Sequence, residues 1–371
     1  MQPPEPRRLV IGWDVGGAHV KACVLERGDA GSAPTVFDIA QWACPLWQGL
    51  IHLDAVLLQA RARWPKAWQS GARHVATMTG EMVDLFDHRE DGVRRLAAHL
   101  AEALGPSLAL YADVDVDASA GRWVAPSAAG AHWRAIASAN WHATAEVVAA
   151  HWPDAVLVDI GSTTTDLIVV RDGRVAAAGT SDAQRLASGA LVYQGVVRTP
   201  LCALAQRVPF GGAQVNVMNE FFATTADVYR LTGQLDPAHD QQASADNAAK
   251  DAPATRQRLA RMIGRDAHEA SAGDWLGLAK FWRDAQLAEI AGQLDRVLAA
   301  GGLPDDAPIV GAGCGDFLAA ALAQRTGRPF RPFADDVVAL PAGGSATEMA
   351  RWAQVCAPAV AVAWLAATDR A

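Results

Sequence analysis

The sequence predicts an α/β protein of two domains, and three observations carry that reading. Two strand–turn–strand units, at residues 9–25 and 155–170, each run an apolar strand into an aspartate and a glycine-bearing turn. A third apolar strand near 307–312 enters a glycine-rich turn at 311–316. Stretches with apolar side chains at helical spacing lie between them. The repeated opening assigns one domain to residues 1–154 and a second to 155–371. The second carries the glycine-rich turn and a final helix that packs back on the first domain.

The elements follow in order. Leu9-Val10-Ile11-Gly12-Trp13-Asp14 is a short strand, Gly16 and Gly17 make the turn, and residues 19–25 return as a second strand. Residues 50–64 and 93–104 read as helices, the latter stopped by Gly105-Pro106. Residues 76–82 read as a strand end followed by a loop. His132 and His142 are expected to flank a strand segment, and Asn140 to end it. Residues 155–161 and 162–170 repeat the opening hairpin, which then turns at Asp172-Gly173, a dipeptide suited to tight turns. Residues 236–257 begin polar and helix-poor and read as an exposed loop. Helices follow near 256–263 and 275–298, and another begins at Phe317. Residues 335–340 read as a further strand, and Ser345 with Glu348 as a helix-capping box.

Composition narrows the function. The chain has 371 residues, and Lys plus Arg at 32 against Asp plus Glu at 40 gives a formal charge of -8. With no basic block, the sequence argues against nucleic-acid binding. The five cysteines are scattered and odd in number, which suits a reducing compartment and offers no disulfide framework. The N-terminal residues lack the apolar core of a signal peptide, and the apolar stretch 355–367 is too short to span a bilayer and contains Pro358. The expectation is a cytoplasmic protein without a membrane partner. Oligomeric state cannot be read from these features.

Three glycine turns at strand ends suit phosphate, because backbone N–H groups approach its oxygens with no side chain intervening. The candidates are Gly16 and Gly17, then Gly161 with Ser162, Thr163 and Thr164, then Gly311, Gly313 and Gly315. Asp14, Asp159 and Asp166 are oxygen donors of the kind Mg²⁺ takes, and Lys21 suits a phosphate oxygen. Glu81 and Asp84 follow the Thr79-Gly80 turn and are candidate bases, each also readable as a solvated loop carboxylate. Asn140 is a candidate substrate contact, and Trp13 and Trp141 are candidates for stacking on an aromatic ring, although most of the 13 Trp should be core residues. No ligand-spaced histidine cluster is present in the sequence.

Five segments carry a resemblance: 12–21 with its Gly12-Trp13-Asp14-Val15-Gly16-Gly17 core, Thr77-Met78-Thr79-Gly80-Glu81-Met82-Val83-Asp84, Ser138-Ala139-Asn140-Trp141-His142-Ala143, 159–166, and 226–233. They run through most of the chain. Together they resemble the acetate/sugar kinase–Hsp70–actin superfamily. Within it they resemble the hydantoinase/oxoprolinase-related branch, and there the tetrahydromethanopterin-linked C1 transfer pathway proteins. The resemblance implies an actin-like, sugar-kinase-like (ribonuclease H-like) fold with an interdomain cleft. It implies a synthase of methanofuran or methylofuran biosynthesis that is Mg²⁺-dependent. Such an enzyme joins an aminomethyl-furanylmethyl diphosphate to the phenol oxygen of a tyramine- or tyrosine-derived acceptor and releases diphosphate. An ATP-dependent small-molecule kinase and an ATP-coupled hydantoinase/oxoprolinase-like hydrolase share the same phosphate cradle, so ATP as a cofactor stays open at this point.

Overall fold

The computed structural model describes residues 9–28, 33–69, 71–113, 122–340 and 346–369. The capping residue Ser345 lies outside them. Contacts divide the chain into two units. The first comprises Met1–Asp154, Val170–Gln184 and Pro332–Ala371, and the second Ala155–Val169 and Arg185–Arg331.

The first unit is built on a six-stranded sheet of β1 (Leu9–Val15), β2 (His19–Glu26), β3 (Thr35–Ala43), β4 (Arg73–Met78), β5 (Leu108–Tyr111) and β6 (Trp123–Val124), in the order β3-β2-β1-β4-β5-β6. The expected hairpin is β1 with β2, and β3 extends it antiparallel. β4 and β5 add on the other side in parallel. Six residues of β1 are buried, the near-continuous burial expected of a strand covered on both faces.

The helix Ala357–Thr368 covers one of those faces, and its packing explains Gly12. A Cβ on Gly12 would collide with the Ala359 carbonyl and lie 2.7 Å from the Ala363 nitrogen. Alanines on the helix and glycine on the strand therefore set how closely the two backbones approach. Gly12→Ala is expected to cost about 1–3 kcal/mol by overpacking, read as a lower urea midpoint with an unchanged slope. An unshifted midpoint would show that helix and strand can separate freely.

Trp13 is fully buried; its indole N–H donates to His74 Nδ1 at 3.1 Å, and Trp64 and Trp68 meet it edge-on. Burial lowers the His74 pKa to about 4, which keeps the ring neutral and Nδ1 able to accept. Trp141 is equally buried. Both tryptophans are core residues, as expected of most of the 13, and the alternative that one stacks on a substrate ring is not favoured by their burial.

The second sheet repeats the plan. β7 (Ala155–Ile160) and β8 (Thr165–Arg171) are neighbours, and β8 turns into β9 (Arg174–Val175) through Asp172 and Gly173, both at positive φ (52° and 69°). That is the backbone of a two-residue hairpin whose twist matches its strands. β10 (Leu191–Val192) pairs with β8, β11 (Arg207–Phe210) and β12 (Ala213–Asn216) form a separate hairpin, and β13 (Ile309–Ala312) lies parallel to β7, with β14 (Phe330–Pro332) beyond it. The order β10-β8-β7-β13-β14 reproduces β3-β2-β1-β4-β5. Two sheets with this order make the fold actin-like and sugar-kinase-like, as the sequence predicted.

Several local expectations are corrected. Asn140 begins the helix Asn140–His151 rather than ending a strand, and the short helix Trp133–Ile136 lies between His132 and His142. Residues 333–337 form a helix, although Ala339 does bridge to Thr35. The long helix Ala272–Gly301 exceeds the predicted span at both ends and is opened by a capping box of Ser271 and Asp274. No single helix among the described residues is long and apolar enough to cross a membrane.

Candidate active site

In the first unit, strand register sets Lys21, Asp14 and Thr77 side by side on β2, β1 and β4. Lys21 Nζ lies 4.0 Å from Asp14 Oδ2, and Asp14 is 6% exposed. Lys21 therefore faces a carboxylate as well as any anion that enters. Thr77 Oγ1 is buried without a hydrogen-bond partner. The turn beyond β1 is closed by the Gly16 N–H donating to the His19 carbonyl at 2.9 Å, while the Gly17 carbonyl accepts from Leu46 N–H at 3.1 Å.

The segment after β4 is the best-defined cluster. Glu81 sits in a short 3-10 turn, Gly80–Met82, against the helix Arg89–Leu104. Gly92 of that helix packs flat on it: a Cβ there would lie 2.8 Å from Glu81 Cα. The Glu81 side chain is fully buried, so the solvated-loop alternative does not hold for it, whereas Asp84 is exposed. Glu81 Oε1 accepts from Ser138 Oγ at 2.7 Å and from Arg89 Nη2 at 3.1 Å, while Oε2 is buried with no partner. Burial pushes the Glu81 carboxyl above its ordinary range, against the opposing pull of Ser138 and Arg89. Ser138 holds a positive φ of 52°, a conformation that costs a non-glycine residue energy and persists where its surroundings enforce it. Arg89 Nη2 also donates to Asp182 Oδ2 at 3.0 Å. Sequence reading chose Glu81 but missed Arg89, Ser138 as its partner, and Asp182. The one hint was that Glu81 and Ser138 stood in two of the five resembling segments.

In the second unit, the Gly161 N–H donates to the Thr164 carbonyl at 2.9 Å, closing the turn that carries Ser162 and Thr163. Val196 N–H donates to the Gly161 carbonyl, and Val197 and Arg198 N–H donate to that of Ser162. Ser162 Oγ is buried without a partner. Asp159 ends β7 at 8% exposure. Gly313 stands beside it at φ 84°, where a Cβ would lie 2.6 Å from Asp159 Oδ1, so only glycine serves there. Gly315 opens the helix Asp316–Thr326, and its N–H donates to the Ile160 carbonyl at 2.8 Å. Gly311 is packed against Phe330, whose ring a Cβ would meet at 2.5 Å. The amides of Gly16 and Gly161 thus close turns, that of Gly315 ties the third loop to the end of β7, and Gly311 makes room for a ring. Asp166 is hydrogen-bonded and ion-paired to the buried Arg185, a structural partner the sequence gave no sign of. Among the described residues, no group of three or more His, Cys, Asp or Glu is placed to hold a metal ion. Asn140 is half-buried, and its carbonyl accepts from Thr144 Oγ1.

The segment 226–233 has a structural role. Asp227 is fully buried, forms a capping box with Thr224, and accepts from Arg230 at 2.8 Å and from Arg258 at 2.7 Å. Arg230 grips Asp240 with two hydrogen bonds of 2.6 and 2.9 Å, which ties down the polar loop that follows.

Comparison with known proteins agrees with this plan. Residues 73–339 match the family model described as hydantoinase/oxoprolinase. The chain is 30% identical over 260 residues to the (4-{4-[2-(gamma-L-glutamylamino)ethyl]phenoxymethyl}furan-2-yl)methanamine synthase of Methanocaldococcus jannaschii, covering 70% of this chain and 72% of that protein. It is 32% identical over 124 residues to the synthase of the same name from Methanococcus vannielii, covering 33% of this chain and 55% of that protein. A solved nucleotide-free acetone carboxylase superposes with a TM-score of 0.51 at 11% identity, over 96% of this chain and 70% of that one; this likeness bears on the fold alone. The chain belongs to the hydantoinase/oxoprolinase family.

Proposed function

We propose that this protein is a synthase of methanofuran-type cofactor biosynthesis. It forms an aryl ether between a furanylmethyl diphosphate and the phenol of a tyramine- or tyrosine-derived acceptor, and diphosphate leaves. The observation that carries the reading is the similarity to the archaeal synthases, which extends over both units. Their name describes a phenoxymethyl-furan product, which is the ether this reaction makes.

The residues suit the chemistry. A phenol has an ordinary pKa of about 10, so roughly one molecule in a thousand is ionised at neutral pH. A carboxylate whose proton affinity is raised is a better base for it. In this reading the phenol proton passes to Ser138 Oγ as the Ser138 proton passes to Glu81 Oε1, which lets a sealed carboxylate act through a hydroxyl. Asp84, exposed on the neighbouring loop, is the less suited base. In the first unit the Gly17 amide with Lys21, and in the second, taken by itself, the amides of Ser162, Thr163, Thr164 and Gly313, are the groups suited to phosphate oxygens. Mg²⁺ takes one or two carboxylates and keeps much of its water, so it needs no three-carboxylate cage. Asp14 with Thr77 Oγ1 in the first unit and Asp159 with Ser162 Oγ in the second are oxygen donors that fit it. Asp166 fits less well because Arg185 holds it. When bound, Mg²⁺ would supply neutralisation of the departing diphosphate charge. ATP has no role in the reaction so drawn.

Product analysis tests this. The purified protein with Mg²⁺, a furanylmethyl diphosphate and a phenolic acceptor should yield the ether and free diphosphate without ATP. A phosphorylated acceptor, or product only when ATP is added, would replace this reading with the kinase.

A further inference from the structure

We infer that Asp182 and Arg89 are positioning residues that set the proton affinity of Glu81 by competing through one shared nitrogen and one shared hydroxyl. The inference rests on the reading of Glu81 as the base.

The geometry sets more acceptors around these donors than they have protons. Arg89 Nη2 lies 3.1 Å from Glu81 Oε1, 3.0 Å from Asp182 Oδ2 and 2.6 Å from Ser138 Oγ. That nitrogen has two protons for three oxygens. Ser138 Oγ has one proton, with Glu81 Oε1 at 2.7 Å and Asp182 Oδ2 at 3.3 Å. When Ser138 Oγ accepts one of the Nη2 protons, the two carboxylates compete for the other, and a Ser138 proton given to Asp182 is lost to Glu81. With all three groups ionised, two carboxylates share the Arg89 guanidinium, and a proton on Glu81 lessens its demand on it. Of the charged groups, Arg89, from the helix Arg89–Leu104, bonds Glu81 directly, and Asp182, which opens the helix Asp182–Ser188, reaches it through Arg89 and Ser138. Ser138, from the segment before the helix Asn140–His151, adds a hydroxyl and no charge.

The side chains are graded in exposure. Glu81 is sealed at 0%, Asp182 is 15% exposed and Arg89 28%. The outer pair is thus placed to feel an arriving acceptor. An acceptor hydrogen-bonded to Asp182 would release Arg89 towards Glu81, so the same contact that delivers the phenol would ease the ionisation of its base.

The direction of each effect follows from charge. Asp182→Asn removes the competitor and leaves Arg89 to Glu81, which lowers the Glu81 pKa. Arg89→Met removes the cation and raises it. Opposite shifts of about one pH unit are expected, the scale of one nearby charge. They can be read without turnover by ¹³C NMR titration of carboxyl-labelled glutamate, with Glu81→Gln assigning the resonance. Asp182→Glu should restore the original titration. The acid limb of kcat/KM should move with the NMR value in each variant that folds by circular dichroism. Should Arg89→Met fail to fold, Asp182→Asn paired with Asp182→Glu decides alone. Shifts below about 0.3 unit, or shifts of both variants in one direction, would overturn the inference. A fully active Glu81→Gln would instead overturn the reading of Glu81 as base while leaving these titration shifts intact.

Discussion

Glu81→Gln is expected to leave a folded protein that turns over about a hundred- to ten-thousand-fold more slowly, the usual contribution of a positioned general base. Glutamine keeps the size of the side chain, and its carbonyl oxygen still accepts from Ser138. The packing around Gly92 is therefore undisturbed, while the proton acceptor is gone. The pH profile is the sharper readout. In the wild type the acid limb follows ionisation of a carboxyl whose proton affinity burial has raised. In the variant the phenol must ionise unaided, so the residual rate should climb about tenfold per pH unit up to its own pKa near 10. Asp84→Asn, by contrast, removes an exposed carboxylate and should change the rate little. A Glu81→Gln variant with the wild-type profile would assign the base elsewhere.

Asp227→Ala should destabilise the protein by about 3–5 kcal/mol, because it breaks a buried ion network from one side. Asp227 and Arg258 are both fully buried at their side chains. Asp227 also holds Arg230 and caps its own helix through the Thr224 N–H at 3.1 Å. Removing the carboxylate leaves the buried Arg258 guanidinium with the partly exposed Asp246 as its remaining countercharge, while Ala249 and Thr255 still accept from it. Against a typical total of about 5–15 kcal/mol, the loss is large. Urea denaturation gives the number, and limited proteolysis should find earlier cutting in the loop before Ala252. Asp227→Asn keeps the cap acceptor and loses the charge, so it should fall between the two. A loss below about 1 kcal/mol for Asp227→Ala would mean that the network contributes no more than a surface pair.

These two residues show what the sequence could and could not tell. The hairpins were legible because their signals are local: Asp172-Gly173 states its own turn, and the alternation of apolar strand, aspartate and glycine marks β1 and β7. Glu81 was legible as a candidate only. Its partner Ser138 and the Asp182 that shares Arg89 with it stand 57 and 101 residues further on, and no local pattern announces a partner at that distance. Asp166 is the same problem seen from the other side, since a strand-end carboxylate reads alike whether Arg185 or a metal ion awaits it. Asp227 stood in a segment chosen for resemblance, yet its place under Arg258 makes it part of the scaffold. Asn140 and residues 333–337 were misread because short runs without strong periodicity take their form from packing. The glycines divide for the same reason: Gly313 needs its positive φ beside Asp159, while Gly12 and Gly311 are glycine because a neighbour leaves no room.

The claim at the centre is that a carbon–oxygen bond to diphosphate breaks and the phenol oxygen becomes the ether oxygen. It is tested most directly by following a heavy-oxygen label placed in the acceptor phenol, in a reaction with Mg²⁺ and no nucleotide. The expected result is ether carrying the whole label, with unlabelled diphosphate formed in equal amount. Label in a phosphorylated acceptor, or no ether until ATP is supplied, would contradict it.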